Sequence, residues 1–366
     1  MKAPLAGIRV LDFSRLIPGN FATLMLAELG ADVIKIEDAK HGDPTRHLPP
    51  SLDGQGLYHL LLNRGKKSIA VDFRSAAVMP SLERLVDSAD VVVESFRPST
   101  AKSIGVSAEQ LRAARPRLIH CAITGYGQTG PNAEKPGHDL NYVAEGGLLA
   151  VDRPGIVNLP RMFIADVGGG AMSAVAGILA ALFARERSGA GASLDISMHD
   201  AVLYWMMLPA ARELVQGAGV AEGELPTFGR HATYNVYDTK DGQRVALGAL
   251  EPKFWQTFCD LVGHPEWKTR QNSDAADQGA LLDEVRNLFL TRSRGEWLQM
   301  FSSHAACLSS VNSPAEALAD PHVAARGLIQ NAPRLRALRA PFVSEPPELS
   351  PAPALGQHNK DFEIPQ

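Results

Sequence analysis

Short runs of β-branched and aliphatic residues alternate with longer stretches whose apolar positions recur at helical spacing through the first half of the chain. The pattern predicts a strand over residues 7–12, a turn at Pro18-Gly19, and a helix over 21–29 that stops at Gly30. Further strands are expected over 31–37, 68–72, 90–95 and 118–124, with a helix over 79–88 between the third and fourth. Apolar strands separated by amphipathic helices predict a mostly parallel sheet covered on both faces. An Ala-rich helix over 171–184 leads to a Gly-Ala-Gly turn at 189–191 and a further strand over 192–197.

From Met198 to Leu214 the pattern is helical again, and residues 216–229, rich in Gly, Ala and Glu, read as a linker. A hairpin follows, with strands over 233–237 and 243–250 around Lys240-Asp241-Gly242, and then helices from 253 to about 310. The tail from Pro333 is proline-rich and aperiodic, which predicts a segment wrapped over the surface. The fold class expected is therefore α/β. A large Rossmann-like domain spans 1–197 and 325–366, a linker helix and loop 198–229, and a smaller α+β domain 230–324.

Composition narrows the function. At 366 residues, 45% hydrophobic and 21% charged, the chain can bury two ordinary cores. The net charge of -4 provides no overall basic field for nucleic acid. The amino-terminal residues lack the apolar core of a secretion signal, and the longest apolar stretch ends in Arg185-Glu186-Arg187. No membrane span is expected. Cys121, Cys259 and Cys307 are scattered and odd in number, which suits a reducing, cytoplasmic setting and gives no metal-ligand cluster. No G-x-G-x-x-G follows the first strand, and Walker-type and H-E-x-x-H motifs are missing, so neither NAD nor a zinc centre is expected.

Three clusters carry candidate chemistry. Thr124-Gly125-Tyr126-Gly127-Gln128-Thr129-Gly130-Pro131, followed by Gly137-His138-Asp139-Leu140-Asn141-Tyr142, lies beyond the carboxyl end of the fifth strand, where open α/β sheets hold ligands. His138 is a candidate general base there; its plain alternative is a loop-capping residue. Asp166 in Ala165-Asp166-Val167-Gly168-Gly169-Gly170 is either a helix cap or a carboxylate at the mouth of the sheet. Glu251 in Gly248-Ala249-Leu250-Glu251-Pro252 ends a strand and is either solvated or functional.

These clusters, with residues 4–12, 29–37, Asn63-Arg64-Gly65-Lys66-Lys67-Ser68 and Ser95-Phe96-Arg97-Pro98, resemble the family III CoA-transferases and their α-methylacyl-CoA racemase relatives. The resemblance runs over about residues 4–255 and is closest to the racemase branch. It implies that His138 and Asp166 are the two acid/base groups and that Glu251 partners Asp166 across the subunits of an interlaced homodimer. The backbone N–H of Asp139 would hold the enolate oxygen. It further implies an acyl-CoA substrate, with CoA a part of that substrate and no separate cofactor.

CoA contacts are expected from Arg64, Lys66, Lys67, Val71, Asp72, Phe73, Arg74 and Arg97. The motif residues Gly125, Tyr126, Gly127, Gly137, Leu140, Asn141 and Tyr142 complete that set. Where some racemases carry an Arg after the second strand, this chain has Glu37-Asp38, with Lys40 nearby. The activity implied is interconversion of R and S forms of a 2-methyl-branched acyl-CoA through an enolate, within fatty-acid metabolism. The alternative is CoA transfer with Asp166 as nucleophile. Two close carboxylates cannot both ionise easily, so Glu251 beside Asp166 is expected to raise the Asp166 pKa.

Overall fold

Six of the apolar runs become strands of one wholly parallel sheet: β1 (Arg9–Asp12), β2 (Asp32–Asp38), β3 (Lys67–Val71), β4 (Val91–Glu94), β5 (Ile119–Thr124) and β6 (Ser193–Ser197). The computed structural model describes residues 3–151, 159–217, 229–332, 335–343, 345 and 347–365. The spatial order of the strands is β3-β2-β1-β4-β5-β6. Connections run outward in one direction to β3 and in the other to β6, so a topological switch point falls between β1 and β4. In such sheets a crevice opens there, beyond the carboxyl ends of the strands.

Strand residues alternate between two cores. Val10, Val91, Val93, Ile119, Cys121 and Ile123 face one, and Leu11, Ile34, Ile36 and Val92 face the other. Helix α1 (Leu16–Glu28) lies in the first core and is buried nearly all round, which explains its lack of a polar face. Helix α2 (Met79–Asp87) covers the opposite face through Leu82, Leu85 and Val86. Two short helices, α3 (Pro98–Ser103) and α4 (Asp139–Glu145), begin just beyond β4 and β5.

The Ala-rich helix is a compound element. A nine-residue π-helix, Ile164–Met172, runs directly into α5 (Ser173–Ser188). Together they are long and apolar enough to cross a bilayer, yet Ala174, Val175, Ile178, Ala181 and Leu182 are buried in the first core. The π-helix glycines serve close packing on α6 (Met198–Trp205): a Cβ at Gly168 would stand 2.3 Å from Trp205 Cη2, and one at Gly169 would stand 3.2 Å from Ala201 Cβ.

Several boundaries differ from expectation. Pro18-Gly19 lies in the first turn of α1, where a missing N–H costs nothing. The helix expected over 198–214 breaks after Trp205 and resumes as Ala211–Gln216, since Pro209 cannot donate within a helix. The tail closes back as a hairpin of Ile329–Ala332 and Leu335–Leu338. Farther on, Asn359 Nδ2 donates to the Ala70 carbonyl at 2.9 Å and its Oδ1 accepts from the Ala70 N–H at 2.8 Å, so the tail covers the open edge of β3.

The chain divides into two compact units. One comprises Met1–Val151, Gly155–Pro209 and Arg326–Gln366; the other comprises Asp152–Pro154 and Ala210–Ala325. Helix α6, at the start of the expected linker, thus belongs to the large unit, and residues 218–228 of that linker lie outside the described residues. In the smaller unit β7 (Tyr234–Asp238) and β8 (Arg244–Gly248) form the expected hairpin, and Leu308–Ser310 adds a third antiparallel strand that its short polar sequence does not announce. Helices α7 (Pro252–Val262), α8 (Ala275–Phe289) and α9 (Arg294–Phe301) bury Trp255, Phe258, Phe289 and Trp297 against this sheet.

Candidate active site

A cavity of about 480 Å³ opens at the switch point, lined by the turns that follow β1, β4 and β5 and by the π-helix. His138, Asp166, Gly125, Gly137, Asn141, Tyr142 and Arg97 all line it. A second cavity of about 300 Å³ shares Arg15 and Phe96 with the first and extends over the ends of β1 and β2. The two form a cleft along the carboxyl edge of the sheet.

Local chemistry explains each placement. The segment after β5 turns through Gly127 at φ +82°, and its N–H groups are collected by Thr124 Oγ1, 2.9 Å from Gly127 N, and by Asp195, whose Oδ2 is 2.9 Å from Gln128 N. Gly125 and Gly137 sit against the Tyr142 ring: an added Cβ would come within 2.5 and 2.7 Å of Tyr142 Cε1. Tyr142 is buried, meets Tyr126 edge-on at 5.3 Å, and has its phenol pushed up by burial and by the charge of Asp166. His138 occupies the cap position of α4 and is exposed, its backbone N–H held at 3.0 Å by Asn141 Oδ1. Asp139 follows in the first turn, where a helix leaves N–H groups without intrahelical partners.

Asp166 lies in the first turn of the π-helix, a helix type often found at functional sites. Its backbone N–H donates to Asp139 Oδ1 at 2.9 Å, which brings the two carboxylate-bearing residues together. Burial, and then the charge of Asp139, push the Asp166 carboxyl up to about 7. The Asp166 pKa is raised as expected, but burial is the first cause and the carboxylate that adds to it is Asp139, not the expected Glu251. Glu251 occupies the cap position of α7 in the smaller unit, makes no side-chain cap bond and is exposed.

The expected cation set divides. Arg97, at the cap of α3, lines the main cavity. Lys66 does not: its ammonium is wholly buried, 3.2 Å from Asp12 Oδ2 and bonded to Thr23, Asn63 and the Asn20 carbonyl. Arg64 is also buried, paired with Glu28 at 3.4 Å. Lys67 opens β3 and pairs at 2.6 Å with Asp32 at the start of β2, on the amino edge of the sheet, opposite the cleft.

Of residues 71–74, Phe73 lines the second cavity; Val71 is buried in the core, while Asp72 and Arg74 form an exposed turn outside the lining. Tyr126, Gly127 and Leu140 also lie outside the cavity walls, and Lys40 is not in the lining of the second cavity beside Asp38 and His41. Two lining cations escaped the sequence reading. Arg15 touches both cavities, and Lys135 lines the main one while pairing with Glu145 at 2.7 Å. The position of Lys135 between the two motif clusters of residues 124–142 was the available signal for it. Glu94, behind the lining, also went unnoticed: buried at the end of β4 and pushed up to about 8 by burial, it fixes the Phe96 N–H at 2.6 Å.

A model of the CoA-transferase family III matches residues 5–359. The chain belongs to this family. Its curated relatives divide between two chemistries at nearly equal distance. α-Methylacyl-CoA racemase of Mus musculus is 30% identical over 97% of this chain and 91% of that protein. Succinyl-CoA:glutarate CoA-transferase of the same organism is 31% identical over 98% and 85%. Among solved structures, a CaiB/BaiF family protein from Brucella suis superposes with a TM-score of 0.87 at 28% identity, covering 99% of both chains. The chain is thus an enzyme of family III, and overall identity does not select its branch.

Proposed function

We propose that this family III enzyme racemises a 2-methyl-branched acyl-CoA by moving its α-proton. The observation that carries the reading is a carboxyl at about 7 on Asp166, in a cavity that His138 also lines. An acid/base catalyst works best with a pKa near the working pH, whereas a nucleophilic carboxylate is best fully ionised. In the reaction, one of the pair takes the α-proton, the C–H electrons pass into a planar enolate, and the other group returns a proton to the opposite face. Restoring the carbonyl completes the inversion, with no net change in protons. The enolate oxygen is held by the Asp139 N–H. Arg97, Arg15 and Lys135 supply positive charge along the cleft for the phosphates of CoA. CoA is part of the substrate, and no separate cofactor enters.

Glu251 completes the site from the second chain of an interlaced homodimer in a cytoplasmic enzyme. The competing assignment, CoA transfer between carboxylic acids, requires Asp166 to be acylated. Incubating the enzyme with a 2-methylacyl-CoA in deuterated water, without an acceptor acid, separates the two. Racemisation gives α-deuterium and loss of optical rotation, with no adduct by intact-protein mass spectrometry. An acyl adduct on Asp166 that hydroxylamine traps and that turns over at the catalytic rate overturns the racemase reading.

A further inference from the structure

Under the cleft lies a largely buried polar cluster that the chemistry above does not use, and its Glu37 and Asp43 form part of the lining of the second cavity. Asp12, Glu37 and Asp43 meet Lys35, Arg46 and Lys66, three carboxylates against three cations, and both lysines are fully buried. Such a balanced cluster resists removal of any one member, because the partner left behind is a buried unpaired charge. Its upper side grips one loop. Lys35 Nζ donates to the Ser14 carbonyl at 2.9 Å, and Asp12 Oδ1 accepts from the Ser14 N–H at 3.0 Å. Asp43 Oδ2 accepts from the Leu16 N–H at 3.2 Å and from Asn20 Nδ2 at 2.9 Å, while Lys35 Nζ stands 3.1 Å from that same oxygen.

Leu16 itself is in the left-handed region, φ +63°, which leucine avoids. It is a non-glycine residue held there at the mouth of the site, for it lines the main cavity beside Arg15. Ser14 is also tightly pressed from behind: a Cβ at Gly19 would lie 2.1 Å from Ser14 Cβ.

We propose that Asp43, locked by Lys35, is a positioning residue for substrate binding: it holds the Ser14–Leu16 loop in its strained form and so aims Arg15 into the cleft. Strain of this kind persists only where surrounding contacts over-determine it. Two of those contacts, the Leu16 N–H and the Ser14 carbonyl, converge on the Lys35–Asp43 pair. The proposal rests on the cleft being the acyl-CoA site and is independent of whether the reaction is racemisation or transfer.

The test is a double-mutant cycle read by calorimetric titration with free CoA and by steady-state kinetics on an acyl-CoA. Asp43→Asn is expected to weaken CoA binding and raise KM by about tenfold, with kcat changed by less than about threefold. Glycine adopts the left-handed conformation freely, so it has no need of the clamp. In a Leu16→Gly background, adding Asp43→Asn is expected to cost less than about threefold in CoA affinity.

Equal losses in both backgrounds overturn the proposal. So does an Asp43→Asn protein that melts earlier but binds CoA as tightly as the parent, since that is a purely structural residue. Should Asp43→Asn fail to fold, Gly19→Ala displaces Ser14 by a methyl group. It is expected to weaken CoA binding by about tenfold, and unaltered affinity overturns the proposal by this route. If the parent enzyme itself binds no CoA, the reading of the cleft falls first, which separates that failure from failure of the clamp.

Discussion

Asp166 faces opposite demands in the two directions of proton transfer. As a base it must be ionised, so the direction in which it takes the α-proton should speed up as pH rises through about 7. As an acid it must be protonated, so the reverse direction should lose its Asp166-dependent rate over the same interval. Initial rates of α-deuterium exchange from each enantiomer between pH 5 and 9 check this, and the crossing limbs should vanish in Asp166→Asn. His138→Ala should slow exchange from one enantiomer preferentially and Asp166→Ala from the other; equal losses in both variants would exclude two separate bases. The same carboxyl costs stability. Its folded pKa is raised above its ordinary value of 3.8, so the folded state binds the proton more tightly, and stability falls as pH rises from about 4 to 7. Asp166→Asn should therefore melt higher than the parent at pH 8, by roughly 5 °C, with the gap closing towards pH 4. That His138 and Asp166 line one cavity was legible because glycine-rich turns at strand ends are where sheets open clefts. The pairing of Asp166 with Asp139 was not, since it arises when a π-helix and the first turn of α4, 27 positions away in sequence, are brought together. Arg64 and Lys66 misled for a related reason. A cation in sequence looks solvated or ligand-seeking, and its burial depends on distant carboxylates, Glu28 and Asp12, that only the fold supplies.

The π-helix and α5 form one continuous rod with two different tolerances for an added methyl. A Cβ at Gly170 would meet Met198 at 3.0 Å, Ile123 at 3.1 Å and Pro18 at 3.2 Å, side chains from α6, β5 and α1. Gly170→Ala should cost about 1–3 kcal/mol by overpacking and also lower activity, because Asp166 lies one turn earlier. Gly177, in α5, meets only Leu194 and Ile196, at 3.4 Å or more. Gly177→Ala should therefore gain up to about 1 kcal/mol from helix propensity, with activity retained. Denaturant melts of the two variants check the contrast, and equal effects would show that the rod packs uniformly. All six parallel strands were readable as elements: apolar runs between turn signals mark the inner strands, buried on both faces, and alternation marks the edge strand β6. The change from π to α winding was not. It coincides with the close approach of α6 to Gly168 and Gly169, which periodicity within the segment does not encode. The Leu308–Ser310 strand was missed because it is short and polar, and it forms by pairing with β8.

At the scale of the whole molecule, the role proposed for Glu251 requires a second chain. This residue sits at the cap of α7 in the smaller unit, whereas His138 and Asp166 are in the large one. An interlaced dimer in which the smaller unit of one chain completes the site of the other makes a prediction that an in-chain arrangement does not. Asp166→Asn and Glu251→Gln are each expected to abolish most activity as homodimers. In a heterodimer of the two variants, one site receives both substitutions and is doubly defective. The other combines the unaltered Asp166 of one chain with the unaltered Glu251 of its partner and is intact. Heterodimers isolated by co-expression with two different affinity tags should thus recover about half the parental activity. If Glu251 acts within its own chain, each site of the heterodimer keeps one lesion, and the purified species is as inactive as its parents. A sample that never yields doubly tagged species would remove the dimer itself. The outcome is insensitive to the acyl group used, because it counts intact sites, so any thioester that the parental enzyme turns over will read it.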